Sequence, residues 1–340
     1  DKHDICAGKY DRQRFYYTLH PFTINSLVDF VTDELQFNGV LTSGGIFPDI
    51  TYPLSVQRDY YLGFQVETPA DGYPAYGGKG TYNNKISLDH HGLQGSGALN
   101  YLTSTTRSKN FLFLLDSMSA ATDTFFVREE QGFPDIRGGR LMERWYPYTD
   151  SMAVATTAKG RPLRMYHDDA FFRGRVSLMP KGTIAAGTAT VKEGTLESSR
   201  FDLLAMEMNA EVSDFTLKSA KRNAVAFSAK HVQSHVDYDN RTAELRIPDG
   251  PARTELQLVK QVAYADHFSW NMDRKVLDIT NTTRPTSEGM DAMDIRMRLQ
   301  KRGDLPGVRF ESTAAEAKGL GYHSLLSTYD FERGELSSQG

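Results

Sequence analysis

The sequence predicts an all-β fold made of elongated, stacked, solenoid-like repeats with about one short helix. Three observations carry that expectation. First, residues 92–127, slid forward by ninety without a gap, lie on residues 182–217. Gly92, Gly97, Thr105, Ser108, Phe111, Leu114, Met118, Ala120 and Phe125 meet identical residues there, where unrelated segments would share roughly two or three. Second, Asp116-Ser117-Met118 with Ala121-Thr122 returns thirty-four residues later as Asp150-Ser151-Met152 with Ala155-Thr156. A spacing of that size fits the coil of a solenoid, whereas ninety alone also fits tandem β-sandwich domains. Third, residues 231–258 alternate cleanly: Val232, Val236 and Tyr238, then Ala243, Leu245 and Ile247, then Leu256 and Leu258. The 17 Tyr and 19 Phe, with abundant Thr and Val, agree with strands.

In chain order, residues 10–20 alternate as a strand. Residues 26–36 form the helix candidate, with Asn25 or Ser26 as cap and Leu27, Phe30, Val31 and Leu35 at helical spacing. Period two returns from 35 to 64, and Pro69, Asp71-Gly72, Pro74 and Gly77-Gly78 mark a loop. Gly77-Gly78-Lys79-Gly80 lacks the Lys-Ser/Thr ending of a phosphate loop and reads as a turn. Residues 259–279 are readable as strand or short helix, 281–289 as a loop, and 294–299 and 308–312 as strands. The expected division is a strand-rich region over 1–90, a first repeat with an insertion over 91–181, a second repeat over 182–265, and a β region over 266–340. Both ends read as cut, so the chain is expected to be a piece of a longer one.

The net charge of −4 and the absence of a Lys/Arg run exclude an electrostatic footprint for nucleic acid. No apolar run approaches the ~20 residues of a membrane span. The single cysteine, Cys6, permits no internal disulfide and has no histidine pattern beside it.

Chemistry has few footholds. Asp89-His90-His91 and His167-Asp168-Asp169 are the dense His/carboxylate groups, giving His90, His167 and Asp169 as weak metal-ligand candidates. Neighbouring strand residues face opposite ways, which argues against His90 and His91 sharing one metal. Carboxylates such as Asp116, Asp123, Glu129, Glu130, Glu143 and Asp150 are plentiful, yet nothing selects a glycosidase pair. Trp145, Tyr146 and Tyr148 form the densest aromatic cluster, read as core or interface packing first and as a glycan contact second. No catalytic residue and no cofactor is expected.

Several stretches resemble very long β-rich repeat envelope proteins of Bacteroidetes type. They are Phe37-Asn38-Gly39 to Gly44-Gly45-Ile46-Phe47-Pro48, Tyr76-Gly77-Gly78-Lys79-Gly80, Gly92-Leu93-Gln94-Gly95-Ser96-Gly97 to Asp116-Ser117-Met118, and His267-Phe268-Ser269-Trp270-Asn271-Met272-Asp273. The closing Tyr329-Asp330 and Gly334-Glu335-Leu336 are similar to repeats of lipopolysaccharide- and lipid-bridging β-groove proteins. The resemblance implies a non-enzymatic scaffold segment of the bacterial cell envelope, periplasmic or at the surface, with an apolar groove for lipid as one form. It implies other envelope segments or subunits, lipid or glycan as partners. A glycan-binding or glycan-degrading surface protein, a protein-interaction module and a cytoplasmic location are the alternatives. Any local function is expected where the two copies differ, in residues 128–181.

Overall fold

The chain is all-β: among the described residues 63% are strand and 3% helical. A computed structural model describes residues 8–23, 35–57, 60–282 and 307–339. The helix expected over 26–36 lies almost wholly outside these residues, as do Cys6 and the strand expected over 294–299; Gln36, at the helix candidate's end, is strand. Among the described residues no helix is long and apolar enough to cross a membrane, which says nothing of strands. The chain divides into two compact units, Asp1–Arg164 with Arg175–Thr183, and Met165–Gly174 with Ile184–Gly340.

The strands up to the end of the first repeat copy are β1 Phe15–Leu19, β2 Gln36–Phe37, β3 Gly39–Ser43, β4 Ile50–Thr51, β5 Leu54–Val56, β6 Leu62–Glu67, β7 Tyr73–Ala75, β8 Gly80–Asp89, β9 Gly92–Tyr101, β10 Ser104–Phe113, β11 Met118–Ala121 and β12 Thr124–Val127. They are followed by β13 Ile136–Gly138, β14 Leu141–Tyr146, β15 Ser151–Thr156, β16 Leu163–Met165 and β17 Ala170–Met179. Alternation places every second side chain on one face. In the first unit that face carries one row across eight antiparallel strands: Phe64, Leu88, Leu93, Phe113, Met118, Trp145, Met152 and Leu178. All but half-buried Leu88 are shielded from solvent. Met118 and Met152 flank Trp145 from its two neighbouring strands. The thirty-four-residue echo is therefore a pair of strands in one sheet, set in one row on either side of β14.

Strand β10 serves two neighbours. Residues 111–113 pair with β11, residues 104–107 with β12, and a bulge lies between them. A bulge bends the strand, so its two halves feed different parts of the fold. Phe47, Tyr82, Phe111 and Phe113 pack together, with ring centroids 4.9–5.8 Å apart in five of their pairs.

The remaining strands are β18 Gly182–Val191, β19 Gly194–Leu203, β20 Glu207–Ser219, β21 Ala224–Asp237, β22 Thr242–Arg246, β23 Ala252–Leu256, β24 Gln261–Ala265, β25 His267–Asn271 and β26 Val276–Thr280, then β27 Val308–Ser312, β28 Gly321–Ser324, β29 Leu326–Asp330 and β30 Glu335–Gln339. The ambiguous stretch 259–279 is thus mostly strand, entered by a short 3-10 turn at Gln257–Val259. The second unit repeats the device of the first. Leu203, Met208, Val236, Ala243, Trp270, Leu277, Tyr329 and Leu336 form its row across eight strands. Strand β21 also divides, residues 233–237 pairing with β22 and residues 227–228 with β23. From there hairpins join two sheets alternately: β25 and β26 extend the β22 side, β24 and β27 the β23 side, and β29 the first side again.

The repeat reaches further upstream than the sequence comparison alone indicates. Strands β7, β8, β9 and β10 have the bounds of β16, β17, β18 and β19 shifted by ninety. Residues 163–181, assigned from sequence to an insertion, therefore belong to the second copy, and the segment between copies shrinks to 128–162. The shared residues have physical duties. Gly92 and Gly182 open their strands at positive φ, 107° and 134°. At Gly97 and Gly187 a Cβ would come within 2.1 Å of the Asn83 and Arg173 carbonyl oxygens. Ser108 sits at the β9–β10 bulge, and Ser198 repeats its hydrogen bonds. Each Oγ donates across to a neighbouring strand carbonyl (Ala121 at 2.7 Å, Val212 at 2.6 Å) and accepts from the main-chain N–H two residues on. Phe111, Met118, Ala120 and Phe125 and their counterparts are buried.

Candidate functional site

The aromatic cluster separates by alternation. Strand β14 points Leu141, Glu143 and Trp145 inward and Met142, Arg144 and Tyr146 outward. Trp145 is 0% exposed, packed edge-on against Tyr76 at 5.2 Å and beside Tyr101 at 5.1 Å. Its indole also lies 2.8 Å from where a Cβ on Gly80 would stand. Trp145 therefore offers no face to a glycan, which corrects its assignment as a ligand-binding residue. Tyr146 and Tyr148 are 36% and 52% exposed. Tyr148 meets Tyr76 edge-on at 6.1 Å.

The histidine groups lie in turns. His90 and His91 form the turn joining β8 to β9, so strand alternation does not apply to them. Their rings lie 3.7 Å apart, and His90 stacks on Tyr61 at 4.1 Å. Asp89, His90 and His91 each present a ligand atom, all within 4.8 Å of one another. That is a three-donor group, one short of a closed tetrahedral zinc set. The objection to His90 and His91 sharing a cation is thereby removed. His167 sits in the left-handed turn between β16 and β17, φ 53°. Asp169 is engaged in ion pairs, 3.2 Å from both Arg241 and Lys192.

One carboxyl stands apart. Glu143 is 2% exposed, and its Oε2 accepts a 2.6 Å hydrogen bond from Thr106 Oγ1. Among the described residues its Oε1 has no hydrogen-bond partner. Burial disfavours the charged form and pushes its pKa up from 4.5 to about 7, the Thr106 bond opposing only in part. It is sealed in the core, with Ala120 and Val154 beside it in register, so it lacks the access that acid–base work on a substrate requires.

A concave feature of the first unit is lined mostly by residues of the 128–162 segment. It is a cavity of about 530 Å³. Arg137, Arg140, Lys159, Arg161 and Arg164 line it, with Asp123 as the one acid. Its floor is glycine, where a Cβ on Gly138 would come within 2.5 Å of Leu163 and one on Gly139 within 2.4 Å of the Asp123 carbonyl. The β13–β14 turn brings in Arg140 at φ 56°. Arg137 is held by Asp135 at 3.1 Å and lies 5.8 Å over the Phe126 ring. Among the described residues Arg140, Lys159 and Arg161 have no ion-pair partner. Sequence reasoning missed this site because its cations are spread over positions 137 to 164 with no basic run. The readable signal was local: Arg137 and Arg140 bracket Gly138-Gly139, and Lys159 and Arg161 bracket Gly160. A second cavity, of about 370 Å³, is also polar, with Asn83, Asn84, Arg107 and Lys109 on its wall.

No protein-family model matches the chain, and no curated protein or solved structure matches it either.

Proposed function

We propose that the chain is a non-enzymatic structural segment of a bacterial envelope protein, a β scaffold that presents surface loops. The observation that carries this reading is the pair of eight-strand rows, each reached through a strand that divides between two neighbours. The residues common to both copies serve packing, bulges and turns. The lipid-groove form of the reading has no comparable support, because inward side chains such as Phe113, Trp145, Phe227 and Trp270 are fully buried and the two cavities above are polar. The envelope location rests on the motif resemblance alone. Fractionation of the source cells tests it: recovery of the chain with periplasmic or surface material supports the scaffold, and recovery with cytoplasmic enzymes contradicts it.

A protein-interaction role is the second reading. Among the described residues β28 and β30 are each paired on one side, by β27 and β29. Leu320, Leu325 and Leu326 are exposed around them. Open strand edges beside exposed leucines are templates for added strands. Concentration-dependent mass by light scattering supports this reading, and a monomer at all concentrations counts against it.

A further inference from the structure

We propose that the basic cavity of the first unit binds an anionic oligosaccharide through its sulfate or phosphate groups. Such binding holds whether or not the chain serves as a scaffold. Five cations face one acid across a space of about 530 Å³, in a chain whose net charge is −4. Asp135 offsets Arg137 at 3.1 Å, and Asp123 remains the only acid on the wall. Arg140, Lys159 and Arg161, without an ion-pair partner among the described residues, repel one another, so gathering them favours an anion that fills the space between. Arginine supplies most of the charge, and its planar fork takes a tetrahedral oxyanion through two parallel N–H donors. Gly138 and Gly139 line the cavity with their main chain, and the space a Cβ would need on either is filled by Leu163 or by the Asp123 carbonyl. Salt bridge and ring contact hold Arg137 in place, which lowers the entropy lost on binding.

The lining also selects among anions. No aromatic ring borders the cavity, so a nucleobase finds nothing to stack on. Its apolar contribution is limited to Pro162 and side-chain stems, so an acyl chain finds no wall. A sugar bearing several oxyanions needs neither.

The test is titration of the full chain with a heparin-derived hexasaccharide, a phosphorylated oligomannose and uncharged dextran, each at about 50 and about 200 mM salt. A single-stranded oligonucleotide and inorganic sulfate are measured alongside. The expected result is saturable binding of one or both charged oligosaccharides, weakened by salt, with dextran silent. The stronger of the two identifies sulfate or phosphate as the preferred group. The triple variant Arg140→Ser, Lys159→Gln, Arg161→Gln is expected to lose roughly tenfold or more in affinity. Its unfolding curve should match the parent, because all three side chains are exposed. The control Lys218→Gln, Lys230→Gln, which removes exposed cations of the second unit, should bind like the parent. The proposal is overturned by an absence of binding at low salt, by a triple variant that binds like the parent, or by charged oligosaccharides binding no more tightly than inorganic sulfate. Tighter binding of the oligonucleotide would overturn the choice of ligand class.

Discussion

Tyr76 and Tyr166, ninety residues apart, tie down the chain in the same way. Each is fully buried and left-handed, φ 50° and 52°. Each hydroxyl donates at 2.8 Å to a main-chain carbonyl, Ser117 for Tyr76 and Glu207 for Tyr166, and those acceptors are themselves ninety apart. Tyr76 also reaches the Leu114 carbonyl at 2.8 Å. A left-handed tyrosine is strained, and the buried bond to the chain end after β10 or β19 offsets that strain.

Tyr76→Phe and Tyr166→Phe should each destabilise the chain by about 0.5–1.5 kcal/mol, since each removes a hydrogen bond while the Ser117 and Glu207 carbonyls keep their main-chain donors, Leu114 and Leu204. Urea unfolding with single and double variants checks this. Neutral behaviour of both would remove the hydroxyls from the account of the repeat.

Charge at the same turns should matter less. Lys79 pairs with Asp150 at 2.8 Å, and ninety residues on Asp169 pairs with Arg241 at 3.2 Å, with the signs exchanged. Both pairs are substantially open to solvent. Lys79→Ala and Asp169→Asn should each cost less than about 1 kcal/mol. A cost equal to that of the tyrosine variants would show that the turns depend on their ion pairs.

Glu143 should make stability depend on pH. Its pKa is about 7 in the folded chain against an ordinary 4.5. A raised folded pKa means that the folded state holds the proton where the unfolded state has released it. The stabilisation is complete below about pH 4.5, falls as pH rises towards 7, and has gone above it. The total is at most about 3 kcal/mol. Glu143→Gln should flatten the unfolding midpoint across that range. An unchanged slope would mean that Glu143 is charged or solvated in the folded chain.

Both tryptophans, Trp145 and Trp270, are fully buried. Their emission should be blue-shifted and weakly quenched by acrylamide, and no saccharide should alter it by direct contact. Trp145→Ala should cost about 3–5 kcal/mol. Strong quenching in the folded chain would restore Trp145 as a surface residue.

Much of the fold was legible because packing leaves periodic marks. Gly92, Gly97, Ser108, Phe111 and Met118 recur at ninety because a hairpin opening, a close strand approach, a bulge and core positions each demand a narrow choice of side chain. The thirty-four-residue echo was equally visible, but sequence spacing cannot say that its two strands, β11 and β15, lie on either side of β14. The site was less legible. Glu143 alternates with Leu141 and Trp145, a pattern that places it on the core face, yet its many acidic neighbours in sequence disguised it. His90 and His91 were judged by strand geometry although they form a turn. The five cations converge only because the turns after β13 and β15 bring distant segments to one cavity.

Hydrogen exchange tests the central claim, that one strand framework is built twice at an offset of ninety, most directly. Amides of β8, β9 and β10 and those of β17, β18 and β19 should show matching protection, position for position, with the break at the β9–β10 bulge after Ser108 repeated at the matching position after Ser198. Slow exchange confined to one set, or breaks that do not correspond, would contradict it.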